Sequence, residues 1–113
     1  LSNLNNKLPS TLNNNFNECI NLIIKNHNCF KDALFQYEKN KDKVFHTIHK
    51  SIEIDKVLSE YIFRSIDSLY KHANNKDLAL GDFRAIENII NHFRSLSKKI
   101  EEAATSLEWL LIN

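Results

Sequence analysis

The sequence predicts an all-α protein, an up-and-down antiparallel bundle of three to four helices, and three observations carry that expectation. A single glycine, Gly81, and a single proline, Pro9, stand among 113 residues. That is too few to punctuate strands and hairpins, whereas helix interiors need neither. Apolar residues recur at steps of three and four over long stretches, the periodicity of a helix face. Apolar residues make up 42% and charged residues 26% of a chain whose length suits one domain, so a packed core is expected rather than disorder.

Residues 1–10 are Asn-rich and end in Pro9-Ser10, the pattern of a flexible N-terminal arm leading into a helix start, with Ser10 or Thr11 as the candidate N-cap. A single helical-bundle domain then fills residues 11–113. Because the chain opens on Leu1 rather than Met, it is expected to be cut from a larger protein. From Phe16 an apolar seam runs through Ile20, Ile23, His27, Phe30, Leu34, Tyr37, Lys41, Val44 and Ile48. One helix over all of it would be about 58 Å long, so a break is expected at Lys39–Lys43, with Asn26-His27-Asn28 as the other candidate. Ser51, followed by Glu53 and Asp55, reads as a second helix start. Its seam passes through Ile54, Leu58, Tyr61, Ser65 with Ile66, and Leu69, and Asn74-Asn75 supplies a left-handed closure before Asp77 begins a new turn. The last helix is expected to start at Asp82, with Gly81 as N-cap. Its broad face runs through Ile86, Ile89, Ile90, Phe93, Leu96, Ile100, Ala103, Leu107 and Leu110.

Charge excludes a dedicated nucleic-acid binder: 15 Lys and Arg against 14 Asp and Glu leave a net charge of +1. No apolar run approaches the roughly 18 residues of a membrane span. Cys19 and Cys29 on one helix would lie about 15 Å apart. A disulfide needs Cα atoms within about 7 Å, so buried free thiols in a reducing compartment are expected. Nucleotide loops, metalloprotease and serine-hydrolase motifs are missing, and no glutamate has a histidine three residues later, as a bundle-core di-metal site requires. His46 and His49 share a helix face and could hold a metal with Glu53 or Asp42, against the plainer reading of two polar-face histidines. His27 reads as a core histidine bonded across the bundle. The expectation is a protein without catalytic machinery, cofactor or metal.

Two features remain. Around the link between the second and last helices stand Lys71, His72, Lys76 and Arg84, with Leu78 and Leu80 beside them. The four basic residues suit an anionic headgroup, and the two leucines suit the lipid boundary. The alternative is that both leucines cap the core. At the far end, Trp109-Leu110-Leu111-Ile112 either closes the bundle against the N-terminal arm or forms a surface for a partner.

On Lys71, His72, Lys76 and Arg84, the apolar Leu78 and Leu80, and its Asn/Lys/Ile-rich composition, the chain resembles the small helical phosphoinositide-binding domains near the C-termini of secreted Legionella-type effectors. That resemblance implies a membrane-targeting module with a basic pocket at one bundle end, acting peripherally on the cytoplasmic face of a membrane in the host cell. The partner expected is therefore an anionic phospholipid headgroup or, in the competing reading, a protein bound through a helical interaction or oligomerisation surface. Nucleic acid is not expected.

Overall fold

The computed structural model describes residues 8–76 and 78–112. They form three helices and, among the described residues, no strand: α1 (Ser10–Gln36), α2 (Lys41–Asn74) and α3 (Leu80–Ile112). The all-α bundle expected from the sequence is the fold, with three helices rather than four. Residues 1–7 of the expected arm, and Asp77, lie outside the described residues. Leu8 is half-buried against the core and Pro9 is the N-cap of α1. Neither Ser10 nor Thr11 takes that place, and no side chain caps the helix.

The expected break is present, spanning Tyr37–Asn40, and the chain re-enters a helix at Lys41. Asn40 makes the restart possible: its backbone is extended and its side-chain oxygen accepts a hydrogen bond from the Lys43 amide at 3.2 Å. Ser51 starts nothing. It lies in the middle of α2, buried, and the helix runs through it because Asn40 has already supplied the start. Asn26-His27-Asn28 likewise stays helical within α1. At the other turn, Asn75 is not left-handed (φ −83°). The positive φ falls one residue later, on Lys76, at 60°. A lysine there bears a backbone cost that glycine or asparagine would avoid. α3 begins at Leu80, so Gly81 sits inside the first turn rather than capping it, and the Phe83 amide bonds the Ala79 carbonyl at 2.9 Å.

The 34 residues of α2 at about 1.5 Å each account for a rod measuring 54 × 22 × 17 Å. Every helix buries a seam of alternating four- and three-residue steps, the signature of coiled-coil-like packing. In α1 the seam is Leu12, Phe16, Cys19, Ile23, Asn26, Phe30, Ala33; in α2 it is Val44, Ile48, Ser51, Ile54 with the half-buried Asp55, Leu58, Ile62, Ser65, Leu69. In α3 it is Ile86, Ile90, Phe93, Ser97, Ile100, Ala104, Leu107, Leu111. Most of the expected seam residues face inward, among them Phe16, Val44, Ile48, Ile54, Leu58, Leu69, Ile86, Ile90, Phe93 and Leu107, and several do not. Ile20, His27 and Leu34 are exposed, their places taken by Cys19, Asn26 and Ala33. Leu96 and Leu110 are exposed as well, and Ser97 and Leu111 are buried instead. For α1 the physical reason is close approach to α2, the most extensive interface, where the small Cys19 and Ala33 take the inward positions. Larger residues one position away are left facing outward.

The core is two apolar clusters with a polar belt between them. The upper cluster gathers Leu12, Phe16, Cys19, Leu58, Ile62, Leu69, Ile86, Ile90 and Phe93, with Phe16 and Phe93 edge-to-face at 5.5 Å. The lower one gathers Ala33, Val44, Ile48, Ala104, Leu107 and Leu111. In the belt, the Ser51 hydroxyl donates to Asn26 Oδ1, and the Ser97 hydroxyl donates to Asp55 Oδ1 at 2.6 Å.

Candidate functional site

Three regions of the molecule offer binding chemistry. The first is the bundle end where α2 finishes and α1 and α3 begin. A cleft of about 450 Å3 lies there, lined by Thr11 and Asn15 of α1 and by Arg64, Asp67, Ser68, Lys71, His72 and Asn75 of α2. Of the four expected headgroup ligands, Lys71 and His72 line this cleft, and Lys76 and Arg84 do not. Lys71 is exposed and paired with Asp67 at 3.0 Å, one helical turn away. Arg64, Ser68 and Thr11 were missed by sequence reasoning. The signal for two of them was available, since positions 64, 68, 71 and 75 share one helix face. The leucines divide between the two expected roles: Leu78 is half-buried against the upper cluster as a core cap, whereas Leu80 is 66% exposed.

The second region is the opposite end, where the parallel helices α1 and α3 both finish. Leu34, Phe35, Trp109, Leu110 and Ile112 have exposures between 60 and 68%. Leu111 alone of the C-terminal apolar run is buried, in the lower cluster. Leu8, at the end of the expected N-terminal arm, packs on the upper cluster and not on this run. Lys39 stands over the Phe35 ring at 3.8 Å, a contact that orients this aromatic without covering it.

The third region is the α1–α3 groove, where the two helices touch least. A cleft of about 310 Å3 opens there, with Ile23, Phe30 and Leu34 on one wall and Leu96, Ile100 and Ala103 on the other. Asn26, His27, Lys31 and Lys99 complete its lining. His27, expected as a core histidine, is exposed at this cleft because the seam passes through Asn26 instead. Asn26 is wholly buried, and its Nδ2 has no hydrogen-bond partner. An unsatisfied buried amide donor costs about 1–3 kcal/mol. The sequence did carry a mark of it, an Asn at a heptad position between Ile23 and Phe30, which the larger neighbouring residues obscured.

His46 and His49 are both exposed, and among the described residues no group of three or more metal-ligating side chains forms. Both cysteines are free, as expected, but only Cys19 is buried; Cys29 is half-buried. Burial, with a smaller contribution from the Glu18 carboxylate, pushes the Cys19 thiol up to about 11, which keeps it protonated and unreactive at neutral pH. Among the described residues no helix is long and apolar enough to cross a membrane.

These features define the class of the molecule, an antiparallel three-helix bundle with coiled-coil-like seams and open apolar surface. Comparison of the chain with protein-family models, curated proteins and solved structures finds no match.

Proposed function

We propose that this chain is a non-catalytic helical interaction module that self-associates through the end formed by the C-termini of α1 and α3. The observation that carries this reading is the exposure of Leu34 and Phe35 near the end of α1 and of Trp109, Leu110 and Ile112 at the end of α3, all more than half exposed. Side chains of this size leave roughly 600 Å2 of apolar surface in water, at the upper edge of what a monomer ordinarily exposes. Two copies pairing these ends bury roughly 1,000 Å2 in total, the lower bound for a specific interface. Aromatic side chains such as Trp109 and Phe35 are enriched in such contacts. Sedimentation velocity over a micromolar to near-millimolar series is expected to show a concentration-dependent dimer. Trp109→Glu together with Leu110→Glu, both at exposed positions, is expected to return the chain to monomer without loss of helix. A wild-type chain that stays monomeric throughout would end this reading.

A second reading rests on the opposite end. There the exposed Leu80 stands at the start of α3, and Arg64, Lys71 and His72 line one cleft. An apolar tip beside basic side chains suits a membrane surface bearing anionic headgroups, such as phosphoinositides. Co-sedimentation with phosphoinositide-containing liposomes is expected to weaken several-fold in moderate salt and on Arg64→Glu. Equal binding to neutral liposomes would remove this reading.

A further inference from the structure

We propose that the α1–α3 cleft is a binding site for a single-chain amphiphile with an anionic head, of the fatty-acid class. The walls define the tail. Phe30 and Leu34 face Leu96 and Ile100 across a space of about 310 Å3. That is the low end of the range for small-molecule clefts, and it suits one flexible acyl chain better than a fused ring system.

The polar groups define the head. Asn26 lies in the lining with no solvent exposure; its Oδ1 accepts from Ser51 on α2, and its Nδ2 has no partner. That amide is turned toward α2 and shielded from solvent, so it forms part of the floor of the cleft rather than meeting a ligand. Lys31 and Lys99 add positive charge to the same lining, which contains no aspartate or glutamate. The ion pairs among the described residues are Lys56–Glu53 and Lys71–Asp67, so neither cleft lysine is already neutralised by an acid. An apolar helix laid in the groove would cover the walls but leave both lysines uncomplemented. A carboxylate amphiphile answers both. Leu34 is shared with the surface proposed for self-association; Lys99 and Ala103, where the test variants are made, lie outside that surface.

Calorimetric titration of the whole chain with dodecanoate, below its micelle concentration, tests this. One-to-one binding is expected, tightening about ten-fold from decanoate to dodecanoate, because each methylene removed from water strengthens binding roughly three- to four-fold. Dodecyl maltoside, with a neutral head, is expected to bind at least ten-fold more weakly, and dodecyltrimethylammonium not at all. Lys99→Glu, on an exposed position, is expected to weaken dodecanoate about ten-fold. Ala103→Phe, which fills the cleft from an exposed backbone position, is expected to abolish it with helix content unchanged. No binding of dodecanoate, equal binding of the three head types, or binding untouched by Ala103→Phe would each overturn the proposal.

Discussion

Leu58→Ala is expected to lower the free energy of unfolding by about 3–4 kcal/mol, read as a shift of the urea midpoint at unchanged slope. Leu58 is fully buried in the upper cluster, among residues drawn from all three helices. Deleting its isobutyl group costs the transfer free energy of the lost atoms and leaves a cavity that three packed helices cannot close. For a domain of this size that is a large share of the total, since small domains are stable by about 5–15 kcal/mol. Leu34→Ala is the control. Leu34 is 60% exposed, and its truncation is expected to change stability by no more than about 0.5 kcal/mol. The two leucines are alike in sequence character, so the contrast reads the seam directly. A Leu34→Ala penalty approaching that of Leu58→Ala would place α1 in the other register, with Ile20, His27 and Leu34 turned inward.

The second large effect has the opposite sign. Asn26→Leu combined with Ser51→Ala is expected to raise stability by about 1–3 kcal/mol, or roughly 5–10 °C in Tm. The pair removes an orphaned buried donor together with the hydroxyl that would lose its partner, and places apolar surface between the two clusters. Asn26→Leu alone is expected to gain less, because Ser51 would remain buried without its acceptor. The cost of the double change falls on uniqueness. Asn26 and Ser51 match only in one alignment of α1 on α2, and a polar residue at a seam position fixes register at the expense of stability. The stabilised variant is therefore expected to show exchange-broadened amide spectra as α1 samples shifted alignments. A fall in Tm would instead assign the belt a net stabilising role.

How much of this was legible follows from what each kind of signal encodes. Helix existence was plain, because it needs only periodicity and a scarcity of glycine and proline. The break after α1 was legible too, to within a few residues, since the Lys39–Lys43 stretch interrupts the apolar pattern. Which of two adjacent seams turns inward was not. Ile20 or Cys19, Leu34 or Ala33, Leu96 or Ser97 are choices between a large apolar residue and a small one a single position away. Hydrophobicity favours the first of each pair, whereas the second is the one buried, in α1 through close approach to α2. Ser51 misled for a related reason: a serine followed by acidic residues matches a helix start, and nothing local reveals that it faces Asn26, 25 residues earlier. The candidate sites fared similarly. Lys71 and His72 do share a cleft, as one helix face dictates, but Arg84 belongs to another helix and Lys76 to a turn, where linear proximity does not bring side chains together.

The two links, Tyr37–Asn40 and Asn75–Ala79, carry a further consequence. Because each joins helices that pack side by side, α1 with α2 and α2 with α3 can find one another after closing only a small loop, which is the topology of a fast folder. The one pairing that closes a long loop, α1 with α3, is also the least packed. The molecule thus consists of a tight α1–α2 hairpin with α3 fastened mainly along one side. Of the three helices α3 shares the least contact with the other two, and the space it leaves along α1 is the α1–α3 cleft.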